Sequence, residues 1–558
     1  MTARASRRRG RVPALVLAVV LLGGGCSEQP AGTLPSPEPT SAEPTPSPTV
    51  DRTGGTLRIG VAEPTTIDPG FVQGEAGQLV VDALFDSLVA LDEDLRPVPA
   101  AAASWEINED ATRFTFTLAD ATFHDGTPVT ADDFVRAFNR IARSAAGDEA
   151  AVAAFQLESV VGYTATLADG VDLEGVTATD DGELVIELES SLPEFLTVLA
   201  DPALAPVPDS VDDDTFADNP IGNGPFQMGE PWQHGRFVRV VRFEQHERPP
   251  YLDEVVFTIY DDDPTLARQW DDLVAGQLDV GNVPAERIDD ARETFGRSPD
   301  GFSGPGYLGG LTGTIYYFGF NVTVAPFNQR AVRQAISMAI DREAIATGIM
   351  QDSRAPATAL VPPTIPGAAR GACDHCSLDP ETARTLLQEA GGTDLFDEPL
   401  EIVHNEGPTH EAIARAVADD ITEHLGIETT VTAYPLDEYV GRLRTTDIGL
   451  FRFGWTASHP SAGSYLYPLF HGSRSGLDNL SRFDVEDVSD ALDAARATID
   501  DDARLLAWAA AEVDILRRAP VAPLLFYRQT LAVRERVQDF RRGPMGNVDW
   551  AAVWLDQG

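Results

Sequence analysis

The chain of 558 residues contains no lysine, so all 41 of its basic residues are arginine. A Walker-type phosphate loop needs a lysine on the phosphates and a pyridoxal phosphate enzyme needs one for its Schiff base, which excludes both chemistries. Cysteine is almost as scarce. Three residues, Cys26, Cys373 and Cys376, cannot build a disulfide framework. Positive charge is short overall: five arginines fall in the first 25 residues, leaving 36 against 88 acids, a net charge of −52 for the remainder. A surface that acidic repels nucleic acid and anionic lipid headgroups. No Gly-x-Ser-x-Gly elbow and no His-Glu-x-x-His helix occurs; His410-Glu411 starts like the latter, but Ala414 stands where the second histidine belongs. Gly304-Pro-Gly-Tyr-Leu-Gly309 spells a dinucleotide fingerprint by letter, yet the residues after it read as strand rather than helix.

What is present begins with an arginine-rich start, an apolar run at 12–22 too short to span a bilayer, and three glycines before Cys26. This resembles a bacterial lipobox, with Gly23 at the place where leucine is usual, and implies a lipidated Cys26 on the outer face of the cytoplasmic membrane. Residues 27–53 are rich in Pro, Ser and Thr, cannot bury a core, and read as an extended tether. The rest is too long for one hydrophobic core, so two or three domains are expected.

Phe114, Phe116 and Leu118 alternate with threonines, the period of a half-buried strand, and Trp105 to Ile107 read as its hairpin partner. Thr130 is placed to cap a helix with Phe134, Phe138 and Ile141 on its buried face and Asp132 and Asp133 at its positive end. A further hairpin is expected at Asp181-Gly182. Asp379, Pro380 and Gly391 punctuate another helix, and the strand and helix signals around 400–430 alternate as in an α/β lobe.

The run Phe-His-Asp-Gly-Thr-Pro-Val-Thr-Ala-Asp-Asp at 123–133 resembles the solute-binding proteins of peptide and nickel ABC importers. So do Glu63-Pro-Thr-Thr-Ile-Asp-Pro69, Ile221-Gly-Asn-Gly-Pro-Phe226, residues 316–349 and the helix after Asp379. The resemblance implies a two-lobed, type II periplasmic-binding-protein-like α/β fold with an additional α+β domain. Lobe I is expected at 54–100, 201–305 and 519–558, the insertion at 101–200, and lobe II at 306–518. It also implies a monomer without catalytic residues or cofactor, which closes by a hinge over a peptide or other small solute and docks on a permease and ATPase carried by separate chains. Arg330, Arg333, Asp341 and Arg342 match the family pattern and are expected to fix helix ends through ion pairs.

Phe453-Gly-Trp-Thr-Ala-Ser-His-Pro460 resembles the segment that lines the family's cleft. Where peptide binders place an aspartate for the ammonium group, this chain has Ser458, and His459 follows in place of an aromatic residue. A buried ammonium needs a carboxylate, so another acid such as Glu63 or Asp68 would have to supply it. The expected ligand-facing residues are Glu63, Thr65, Asp68, Phe453, Trp455, Thr456, Ser458 and His459. Cys373 and Cys376 are read as a local disulfide rather than a metal site, since no second Cys/His pair lies at finger spacing. Two other classes remain: a ligand-sensing surface lipoprotein without import, which would have the same sequence features, and a secreted hydrolase, which would need a nucleophile and base that no motif shows.

Overall fold

The computed structural model describes residues 52–147, 150–212, 215–260 and 266–557. The export signal, Cys26 and all but the end of the tether lie outside the described residues.

A seven-stranded mixed sheet is built on Thr56–Val61, which runs parallel to Glu254–Ile259 with Leu57 opposite Val255 and Ile59 opposite Phe257. A six-stranded sheet is centred on Leu311–Phe320, between the antiparallel strands Val521–Arg528 and Leu450–Thr456. Two expected boundaries therefore shift. Gly306–Leu308 pairs with Leu531–Val533 in the first sheet, whereas Val521–Arg528 belongs to the second. Strand pairing decides membership, and composition alone carries no trace of it. The strand at Gly306–Leu308 also occupies the place where a dinucleotide fingerprint would need a helix.

The chain crosses from one sheet to the other at 309–310 and again at 529–530. The two crossings lie side by side, with the Gln529 N–H donating to the Gly310 carbonyl at 2.9 Å.

A third sheet of four strands, Ala102–Ile107, Arg113–Leu118, Leu184–Glu187 and Val176–Ala178, carries the predicted hairpins. Trp105 faces Phe116 and Ile107 faces Phe114 across the first of them. The helix Ala131–Ser144 packs on this sheet, with Phe134 and Phe138 fully buried. At its start the Asp133 carboxylate accepts both the N–H and the hydroxyl of Thr130, so the predicted cap works mainly through its reciprocal arm. One apolar core runs from this domain into the seven-stranded sheet, joining Phe114, Phe138 and Phe195 to Ile59, Val255 and Phe257. The six-stranded sheet keeps its own cores on its two faces, around Ile336, Leu387 and Val417, and around Leu466, Leu492 and Trp508. The described chain thus consists of two packed bodies.

The Ile221 to Phe226 motif has a steric cause. A Cβ at Gly222 or Gly224 would overlap the Leu84 backbone. Asn223 pairs with both backbone groups of Asp86, and the His124 ring bridges the Gly222 N–H and the Gly224 carbonyl. Burial holds His124 neutral, with its pKa down at about 4. The arginines near 330–342 fix local structure, but not through ion pairs. Arg333 donates to the carbonyls of Phe327, Arg518 and Ala519, and Arg342 to those of Ser337, Ile340 and Pro523. Among the described residues, no helix is long and apolar enough to cross a membrane.

Candidate functional site

A cleft of about 460 Å³ opens where the two bodies face each other. One wall is the end of strand Leu450–Thr456 and the turn that follows, residues 453–460. The other wall belongs to the first body: Val152, Ala153, Phe155 and Gln156 from a short helix of the insertion, Thr197 and Ala200 to Ala203, and Val72, Gln78 and Asp82. Two neighbouring recesses, of about 420 and 400 Å³, share Thr456 with it.

Five of the predicted ligand-facing residues meet here. Phe453 and Trp455 line both the cleft and the 420 Å³ recess, and Ser458 and His459 line the cleft. The Trp455 indole is held by donating to the Ser464 carbonyl at 2.7 Å, which fixes the face it presents. Thr456 meets Thr314 hydroxyl to hydroxyl at 3.1 Å. Ser458 Oγ lies 3.0 Å from His459 Nδ1. Behind His459 sits Glu194 of the insertion, buried, accepting from Ser461 Oγ at 2.6 Å and Trp508 Nε1 at 3.2 Å. Burial alone would raise the Glu194 pKa, but His459, Ser461 and Arg504 outweigh it and hold the group below the usual carboxylate range.

The other three lie outside the cleft. Asp68 caps the Gly70 N–H and takes both Arg140 nitrogens, at 2.8 and 2.5 Å, so its charge is already matched. Glu63 accepts from the Gly235 N–H and faces His234 Nδ1 at 3.0 Å, and Thr65 turns toward the Gln73 carbonyl. Neither Glu63 nor Asp68 lines the cleft.

Sequence reasoning missed the acids that do line the cleft. Asp82 projects from helix Gly74–Leu84, and Asp201 follows the short helix Phe195–Val198. Burial pushes the Asp82 carboxyl up to about 7, with Asp86 and Asp549 adding to the shift, and burial also raises Asp201. The available signal was Asp82 itself, an acid within the apolar run Leu79-Val-Val-Asp-Ala-Leu84. Arg452 was missed as well. It lines the 420 Å³ recess, lies 4.3 Å over the Tyr316 ring and donates to Asn405, but no carboxylate pairs with it among the described residues.

Cys373 and Cys376 form a disulfide, buried and outside the cleft lining. With His375 they make up the one group of three potential ligand residues near enough to share an ion among the described residues. The histidine is already engaged by Ser337 Oγ and the Leu516 carbonyl, each at 2.9 Å, and a disulfide offers no thiolate.

A family model described as bacterial extracellular solute-binding proteins, family 5, matches residues 96–476. The dipeptide-binding protein DppE of Bacillus subtilis is 26% identical over 89% of this chain and 90% of its own length. The probable deoxycholate-binding periplasmic protein YgiS of Escherichia coli is 29% identical over 83% and 86%. Among solved structures, the unliganded open form of the murein tripeptide-binding protein MppA superposes with a TM-score of 0.75 at 24% identity, over 91% of this chain and 99% of that one. This likeness fixes the fold as two-lobed and periplasmic-binding-protein-like.

Proposed function

Because the chain belongs to family 5 of the bacterial extracellular solute-binding proteins, we propose that it captures a peptide or peptide-like solute between its two bodies and delivers it to the permease of an ABC importer. The observation that carries this reading is the cleft itself, about 460 Å³, with an aromatic and apolar wall, a wall of hydrogen-bond acceptors and an adjoining recess that holds Arg452. Apolar lining with a few placed polar groups is what small-solute sites require. The aromatic faces of Phe453 and Trp455 accept side chains of many shapes, while the peptide's own charges set its direction. The unpaired Arg452 guanidinium suits a carboxylate. Relatives named as dipeptide-, oligopeptide- and murein peptide-binding proteins support the same class. The deoxycholate-binding relative suggests an amphipathic anion instead. Two carboxyls with no cation beside them make the main cleft a poor host for one.

Closure is a rotation about the paired crossings at 309–310 and 529–530, and a solute favours it only by touching both walls. Relatives of this chain are named as binding proteins, so Ser458 and His459, chain neighbours 3.0 Å apart with Glu194 at 3.6 Å from His459 Nε2, are read as part of the binding wall of a protein that binds without turnover. Lipidation at Cys26 and the tether to residue 53 hold a monomeric body outside the cytoplasmic membrane, beside permease and ATPase chains.

Native mass spectrometry with a tripeptide library and with deoxycholate tests the ligand class. Retention of peptides, accompanied by a smaller radius of gyration in solution scattering, is expected. Retention of deoxycholate with no peptide bound would overturn the reading. Substituting Cys26→Ser should release the protein into the medium, as read by fractionation.

A further inference from the structure

We infer that the buried Cys373–Cys376 disulfide is the resting form of a metal site, and that on reduction Cys373, Cys376 and His375 together hold one copper(I) ion. The inference stands apart from the cleft and its solute.

The ligand atoms are already gathered. The two sulfurs and a ring nitrogen of His375 lie within 4.8 Å of one another, and Cys373 Sγ is 3.7 Å from His375 Nδ1. His375 Nε2 faces the Leu516 carbonyl at 2.9 Å. A carbonyl only accepts, so the ring proton sits on Nε2 and Nδ1 turns a lone pair toward the sulfurs. Fixing the tautomer through a backbone carbonyl is how proteins orient a metal-binding imidazole. Ser337 Oγ is the other neighbour of Nδ1, at 2.9 Å, yet it also lies 2.8 Å from the His375 carbonyl and accepts from Arg342 Nη2 at 2.8 Å. A hydroxyl has one proton to donate. Given to the carbonyl, it leaves Nδ1 free for an ion.

Charge points the same way. Arg342 is buried, and its hydrogen bonds go to neutral oxygens of Ser337, Ile340 and Pro523. The Pro523 carbonyl, 2.7 Å from Arg342 Nε, is 3.9 Å from Cys376 Sγ. Two thiolates around a monovalent ion carry a single net negative charge, which this guanidinium is placed to balance. A disulfide brings no such charge. Thiolate and imidazole ligands suit copper(I), a soft ion content with three of them. Structural zinc takes four, and no carboxylate or second histidine joins this group among the described residues. Asp374 and Ser377 are exposed, so the loop that carries the ligands is at the surface and the route in is short.

A dithiol reductant gives two electrons and two protons to the sulfur–sulfur bond, which breaks to two thiols while the dithiol closes to its own disulfide. Copper(I) then displaces both thiol protons to solvent and bonds Cys373 Sγ, Cys376 Sγ and His375 Nδ1.

The test uses the Cys26→Ser chain, in which Cys373 and Cys376 are the remaining cysteines. The oxidised protein is compared with protein reduced by a phosphine, which is removed under nitrogen before copper(I) is added in competition with a colorimetric chelator. The reduced form should take one equivalent, with sulfur-to-copper charge-transfer absorption in the ultraviolet and an X-ray absorption spectrum of two sulfurs and one nitrogen. The oxidised form should leave the copper on the chelator. His375→Gln should weaken retention by more than the roughly 10- to 100-fold that loss of an outer partner costs, and should remove the nitrogen from the spectrum. Because a buried histidine also supports packing, the two redox forms of one unsubstituted trio keep the test independent of that variant. A reduced form that yields its copper to the chelator, or an oxidised form that holds it as tightly, would overturn the inference. So would retention that survives Cys373→Ser, or a disulfide that neither phosphine nor dithiol reduces in the folded protein.

Discussion

Glu512 shows what a single carboxyl can organise. It is buried in helix Asp501–Arg518 and accepts from the N–H groups of Leu360 and Val361 at 2.8 Å and of Ala369 at 2.6 Å, tying a long loop to the second body. Burial outweighs these three donors and pushes its pKa up to about 7 from an ordinary 4.5. The folded state therefore holds this proton more tightly than the unfolded chain does. Its contribution to stability is complete below about pH 4.5 and is lost as the pH rises through about 7. Urea unfolding between pH 4.5 and 7 should show that downward trend in wild type and a flatter one in Glu512→Gln. The variant should also lose about 1–3 kcal/mol at pH 5, since an amide cannot accept from all three groups. The Asp68–Arg140 pair gives a second case. Asp68→Ala should cost about 2 kcal/mol by stranding a half-buried guanidinium. Peptide affinity should stay unchanged in calorimetry, because Asp68 lies outside the cleft.

At the scale of elements, the sequence was informative wherever a pattern closed on itself within about twenty residues. The Phe114–Phe116 alternation, the Asp379 cap and the aromatic face of helix Ala131–Ser144 are of this kind, and each is where its spacing put it. Contacts between distant segments left no such trace. Asp68 looked available because its partner Arg140 is 72 residues away, and nothing in the residues around Asp201 marks it as a cleft acid. Arg333 and Arg342 suggested ion pairs because charge is visible in a sequence, whereas the distant carbonyls they bind, those of Arg518 and Ala519 for Arg333 and of Pro523 for Arg342, are not. Of the cleft, the Phe453 to His459 wall was legible and the opposite wall was not. Gly222 joins the two cases, a local motif whose reason is a distant backbone. Gly222→Ala should drive a methyl group into the Leu84 carbonyl and lower stability by about 3 kcal/mol or more, as read by thermal unfolding.

For the whole molecule, the two bodies touch away from their crossings through few polar contacts. Glu194 reaches Ser461 and Trp508, Glu158 pairs with Arg474 at 3.0 Å, and Ser159 accepts from Arg496 at 2.7 Å. Glu194→Ala should leave Trp508 and Ser461 without their acceptor and weaken the closed form. Solution scattering with saturating peptide should then report a larger radius of gyration than wild type, with little change in the ligand-free protein. The paired crossings also bear on how such a molecule can be cut and rejoined. Residues 311–528 leave the first body and return to it at adjacent points of backbone, 2.9 Å apart at the Gln529 to Gly310 hydrogen bond. That stretch is a cassette with a single seam. Taken out whole, it carries its own cores, and what remains could be sealed by a short linker. The solute's wall of aromatics and its wall of acids would then sit in two separately expressible pieces, each open to exchange with the matching half of a relative.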